Sequence, residues 1–108
     1  MIKKCNENVI KEFKDCKNVI SALGDETRQA IIVYMMINCD GKGFRACELS
    51  DKVLASRTAI SHHLKVLKEN NVVDMRKEGT KNYYYINKES SSLKTLIRFF
   101  KDLEEYIK

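Results

Sequence analysis

Residues 57–70 carry side chains that could read the edge of a nucleic-acid groove. At about 100° per residue, Ile60, Leu64 and Leu67 fall on one side of a helix, and Thr58, Ser61, His62 and Lys65 fall on the other. Those four are hydrogen-bonding groups of short or medium length, suited to base edges and phosphate oxygens. Arg57 stands at the N-terminal end, where a phosphate would also be in reach. An ordinary solvated helix face has much the same composition, so the helix alone decides little. The residues that follow decide more: Arg76, Lys77 and Lys81 crowd the tip of a predicted β-hairpin, where a polyanion's backbone would lie. Tyr83, Tyr84 and Tyr85 read as strand packing, with a second phosphate donor among them left open.

These groups need a scaffold, and the pattern predicts one that is mainly α with a β-hairpin, in the order α-α-(β)-α-α-β-β-α. Val9, Phe13, Cys16, Ile20 and Leu23 trace one helical stripe over residues 8–23. Gly24 can end that helix and Asp25 can cap the next, over 26–37. The run from Ala30 to Ile37 is apolar on nearly every side, which predicts the central buried helix. A loop at 38–43 precedes a very short strand at 44–46 and a short helix at 47–54 that buries Leu49 and Val53. Ala55-Ser56 is a brief turn, with Ser56 as N-cap of the helix over 57–70. Asn70-Asn71 stops that helix. Strands at 72–77 and 81–86 then flank Glu78-Gly79-Thr80, a tight turn in which glycine can take positive φ. Serines 90–92 cap a last helix over 93–107, with a stripe of Leu93, Leu96, Ile97, Phe100, Leu103 and Ile107. Two short helices joined by a tight turn and followed by a basic hairpin make a winged helix-turn-helix, a single domain over residues 1–108.

Bulk properties agree with this reading. With 108 residues, no proline and four glycines, the chain suits one largely helical domain. Its net charge of +5 suits a polyanionic partner. No stretch reaches the roughly 18–20 apolar residues of a membrane span, and the first residues lack the apolar core of a secretory signal. A cytoplasmic location is expected, where Cys5, Cys16, Cys39 and Cys47 would be free thiols or metal ligands and not disulfides. There is no glycine-rich phosphate loop, Ser-His-acid motif or recognisable carboxylate pair, so no enzyme is expected.

The stretches Cys47-Glu48-Leu49, Ser56-Arg57-Thr58-Ala59-Ile60-Ser61-His62-His63-Leu64-Lys65-Val66-Leu67, Val72-Val73, Arg76-Lys77-Glu78-Gly79-Thr80 and Tyr83-Tyr84-Tyr85 resemble, in order and spacing, the ArsR/SmtB family of bacterial and archaeal repressors. Leu23-Gly24-Asp25-Glu26-Thr27-Arg28 resembles that family's second-helix entry, and the likeness covers roughly residues 20–86. The resemblance implies a homodimer that binds double-stranded DNA, covers an operator and lets go when an inducer binds. The flanking helices at 8–23 and 93–107 fit such a dimer, because a chain this small cannot readily cover two further apolar stripes by itself. A two-fold interface there would set the spacing of the reading helices, and a roughly palindromic operator follows.

The resemblance thins at metal binding. The family's third-helix site uses a Cys-x-Cys pair, but here the positions read Arg45-Ala46-Cys47, with a non-ligating cation in place of the first cysteine. The family's other common site needs Asp and His on the final helix, and the two histidines here are both in the reading helix. Adjacent His62 and His63 point about 100° apart and cannot chelate one ion as an i, i+4 pair can, so His62 reads as a DNA contact and His63 as a packing residue. The cofactor expected is none. One softer option stays open, a thiolate site for a soft ion such as As(III), Cd(II) or Pb(II) from Cys5, Cys16 and Cys47. Cys16 nonetheless lies in an apolar stripe that favours packing. The rival for the whole chain is a winged helix used for protein–protein contact, which would not need the polar face of Thr58, Ser61, His62 and Lys65.

Overall fold

In a computed structural model, which describes residues 7–108, the chain forms α1 (Glu7–Asp15), α2 (Lys17–Leu23), α3 (Glu26–Ile37), α4 (Ala46–Val53), α5 (Arg57–Glu69), β1 (Val73–Glu78), β2 (Lys81–Ile86) and α6 (Ser91–Ile107). The caps expected from sequence are made. Asp25 accepts the Arg28 N–H at 3.0 Å and Ser56 Oγ the Ala59 N–H at 3.1 Å. Ser90 Oγ accepts the Leu93 N–H at 3.1 Å. Each side chain satisfies a donor that the first helical turn leaves without a partner.

The first predicted helix is two helices. Its ladder reaches Cys16, whose N–H is shared between the carbonyls of Glu12 and Phe13, and resumes from the Cys16 carbonyl, which accepts from Ile20. The two halves have different neighbours: α1 runs along α6, with the Phe13 and Phe99 rings 5.2 Å apart, whereas α2 touches α3 and α5 as well as α6. The inward register carries through the break: Val9, Cys16, Ile20 and Leu23 pack on the core as their spacing predicts, joined by the buried Val19 and Ala22, and of that stripe only Phe13 is exposed.

The next expectation is corrected too. Helix α3 buries Ile31 and Met35, but Val33, Met36 and Ile37 are exposed, with Ile37 76% accessible. An all-round apolar sequence marks a helix able to be central; in so small a chain α4, α5 and β2 cover only one of its sides. On α6 the buried residues are Leu96 and Phe99, and the predicted stripe members Ile97, Phe100 and Ile107 are exposed. The apolar band there has two edges: one packs on α1 and α2, and the other does not.

The core joins Cys16, Val19, Ile31, Met35, Phe44, Leu49, Ile60, Leu64, Leu67, Val73, Leu96 and Phe99, drawn from α2, α3, α4, α5, β1 and α6 and from the connections at Cys16 and Phe44. Strands β1 and β2 pair antiparallel, from Val73 opposite Ile86 to Glu78 opposite Lys81, around Gly79 at φ 62°. The short strand expected at 44–46 is a single bridge, in which Phe44 and Tyr84 exchange two backbone hydrogen bonds of 2.8 Å. Gly43 lets that bridge form, because a Cβ there would stand 3.0 Å from the Tyr84 carbonyl oxygen.

Between α4 and α5 the chain turns at Leu54, which adopts left-handed backbone (φ 58°, ψ 50°) with 91% of its surface exposed. A side chain in that conformation costs roughly 1–2 kcal/mol, and this one has little packing to lose. Leu54→Gly is therefore expected to stabilise the fold by about 1 kcal/mol, raising the melting temperature by a few degrees at fixed protein concentration. A lower melting temperature would contradict the strain argument.

Candidate nucleic-acid interface

Helix α5 is sharply two-sided. Ile60, Leu64 and Leu67 are wholly buried, and Arg57, Thr58, Ser61, His62 and Lys65 are exposed, as their spacing predicts. The N-terminal end is fixed from behind: Ser56 caps α5, the Ala55 N–H donates to the Ser50 carbonyl at 3.2 Å, and Ser50 Oγ donates to the Ala55 carbonyl. Helices α4 and α5 therefore meet through a turn whose polar groups are used, and the outer face of α5 is left free to meet a ligand.

A second anchor holds α5 at its middle. Arg28 donates from Nε to the Ala22 carbonyl at 2.7 Å and from Nη1 to His63 Nδ1 at 3.1 Å. A guanidinium only donates, so His63 accepts at Nδ1 and its remaining proton sits on Nε2. Asp25 Oδ1 lies 3.9 Å from the same ring nitrogen. The backbone N–H of Arg28 holds the Asp25 carboxyl below the usual carboxylate range, and the positive charge of Arg28 adds to this. His63 is half-buried and is a positioning residue, while its neighbour His62 faces outward. Sequence reasoning placed both histidines but missed Arg28, whose role depends on a contact 35 residues away.

At the wing, Lys77 and Lys81 are exposed and lie on opposite faces of the hairpin, since Glu78 is the partner of Lys81 and Asn82 that of Lys77. Arg76 is less free than a wing cation was expected to be. Its Nε donates to Glu78 Oε2 at 2.8 Å, its Nη2 donates to the Lys42 carbonyl, and its guanidinium lies 5.3 Å from the Tyr83 ring centroid. It ties the wing to the loop between α3 and α4. Nothing in the local sequence signals this, because Lys42 lies 34 residues away.

The thiols are dispersed. Cys16 is wholly buried in the core, Cys39 is exposed and Cys47 is half-buried in the first turn of α4. Burial pushes the Cys16 thiol up, and the Asp15 and Glu12 carboxylates push it further, which opposes the thiolate a soft metal needs. Among the described residues no group of three or more His, Cys, Asp or Glu side chains could hold a metal ion. Cys5 lies outside the described residues.

Comparison with known proteins adds an independent line. The family described as "Bacterial regulatory protein, arsR family" matches residues 25–75, a span that starts at the Asp25 cap and ends inside β1. An uncharacterised HTH-type transcriptional regulator of Methanocaldococcus jannaschii is 34% identical over 77 residues, covering 71% of this chain and 83% of that protein. An arsenical resistance operon repressor of Staphylococcus aureus is 31% identical over 75 residues, covering 69% of this chain and 68% of the repressor. Among solved structures, a homodimeric winged helix-turn-helix DNA-binding domain from Mycobacterium bovis superposes with a TM-score of 0.65 at 22% identity, over 94% of this chain and 91% of that one. At that identity the likeness is one of fold.

Proposed function

This chain belongs to the arsR family of bacterial regulatory proteins, so it is a DNA-binding transcriptional regulator and not an enzyme, and we propose that it works in the cytoplasm as a homodimeric repressor released by an inducer. Each protomer presents α5 to the major groove of double-stranded DNA. Thr58, Ser61 and His62 meet base edges, Arg57 and Lys65 meet phosphates, and Lys77 and Lys81 of the wing lie along the backbone. The observation that carries this is the division of α5 into a wholly buried apolar back and an exposed hydrogen-bonding front. Arg76 contributes by holding the wing to the loop between α3 and α4, with a phosphate contact open to any part of its fork that the protein leaves free.

Dimerisation is supported by the outer faces of the terminal helices. Ile10 and Phe13 of α1 and Ile97, Phe100, Tyr106 and Ile107 of α6 are exposed apolar or aromatic groups on two helices that pack together. A monomer would leave that surface in water. No helix of the described residues is long and apolar enough to cross a membrane.

The test is binding to random duplex DNA across a salt series. With four cationic side chains per protomer at phosphates, affinity is expected to fall roughly 10²- to 10⁴-fold between about 50 and 200 mM salt. A protein-contact module built on the same fold would show no binding at the low-salt end.

A further inference from the structure

The loop between α3 and α4, the root of the hairpin and the segment leading into α6 line an open cavity of about 550 Å³. That is within the roughly 300–1,000 Å³ of small-molecule sites. Its inner wall is apolar: Met35 and Phe44 belong to the buried core, and Ile86 packs against it. Its mouth is charged, and the charges are unevenly matched. Arg76 lines the cavity with its guanidinium already engaged by Glu78, by the Lys42 carbonyl and by the Tyr83 ring. Lys88 is exposed to solvent at the rim, and Glu89 is paired with Lys94 at 3.5 Å. Asp40 and Asp74 each accept one backbone N–H, from Lys42 and Met75, and among the described residues neither meets a cationic group within 4.0 Å.

We propose that this cavity is an effector site for a small organic cation with a flat apolar body. The body would rest on Ile86, backed by the almost fully buried Met35 and Phe44, and the ammonium would face Asp40 and Asp74. Tyr85, which is opposite Asp74 in the hairpin and lines the same space, brings an aromatic ring beside the carboxylates, a group that attracts cations. The charge preference follows from the two carboxylates, neither in an ion pair among the described residues, while Arg76 is turned to Glu78 and the Lys42 carbonyl, leaving Lys88 as the one lining cation without a partner among those ion pairs. An occupant touches the loop that leads into the first helix of the helix-turn-helix, both wing strands and the lead into α6. It therefore bears on where the wing sits relative to α5. This effector role rests on the repressor reading above; occupancy of the cavity does not.

Calorimetric titration of the full chain without DNA tests the site, using three probes that share an indole body and differ in the head: tryptamine, tryptophol and indoleacetate. Tryptamine is expected to bind saturably, tryptophol at least tenfold more weakly and indoleacetate more weakly still. Replacing Asp40→Asn and Asp74→Asn together should cut tryptamine affinity at least tenfold and leave tryptophol unchanged. Both substitutions keep an oxygen able to accept the backbone N–H. Amide resonances of Gly41, Gly43 and Asn87 should move on titration. No saturable binding, a flat or reversed order among the probes, or shifts confined to other parts of the chain overturn the site. Saturating tryptamine should also change affinity for duplex DNA at least threefold, and unchanged affinity overturns the effector role. Failure of the regulator reading would show separately, as absent low-salt DNA binding by the ligand-free protein.

Discussion

Changing Ser61 and His62 together to alanine is expected to leave a folded protein whose operator affinity falls roughly 10²- to 10³-fold. The magnitude follows from the geometry of α5. Both side chains are exposed, His62 opposite Leu64 and Ser61 on the flank beside it, near the end of the helix that enters a groove, and in a dimer each is present twice. Base-edge contacts discriminate by about 1–3 kcal/mol each. Four contacts near or somewhat below the lower end of that range account for the loss. Neither residue supports the core, so helical content and melting temperature should stay close to the unmodified values. The pattern of loss carries as much information as its size. Removing base contacts should narrow the gap between operator and random DNA, whereas Lys65→Ala should weaken both alike and flatten the salt dependence by about one phosphate per protomer. Competition titrations with operator and random duplexes measure both quantities. Retained operator affinity in the double variant, or equal losses on the two duplexes, would place the reading face elsewhere.

That face was legible in the sequence because its determinants are local. A period of 3.6 residues, a serine at the cap and a glycine in the turn suffice to define α5 and the hairpin, and each appears where its spacing predicts. The departures arise where neighbours distant in sequence decide. The stripe over residues 8–23 is continuous as a pattern, yet α6 is the main neighbour of its first half while α3, α5 and α6 share its second, and the helix breaks at Cys16 between them. The run Ala30–Ile37 is apolar all round, but whether a helix is covered on every side depends on how much protein surrounds it. Arg76 reads as a wing cation until Lys42 is seen to meet it. His63 and Arg28 show the same limit: each is unremarkable alone, and together they fix α5 against the entry to α3. Periodicity identifies a face, and only the assembled chain says what that face meets.

The same distinction governs the outer edge of α6, where the second large effect is expected. Ile97→Glu with Phe100→Glu should convert the protein from a dimer to a monomer of 12.6 kDa in sedimentation equilibrium, with operator affinity falling about 10²- to 10⁴-fold. The range reflects the effective concentration lost when two reading helices no longer arrive on one particle. Carboxylates at these positions cost the protomer little, because Ile97 and Phe100 are each more than half exposed and α6 is held to the body by Leu96 and Phe99. In an apolar two-fold interface the same carboxylates would face their own symmetry mates or hydrocarbon, and burying them without partners is strongly unfavourable. Phe99→Glu serves as the contrast: its ring packs on Phe13 and within the core, so that variant should lose helical structure and not merely its partner. A double variant that still sediments as a dimer would move the interface off this edge. The exposed face of α3, with Val33, Met36 and Ile37, would then be the next apolar surface able to supply it.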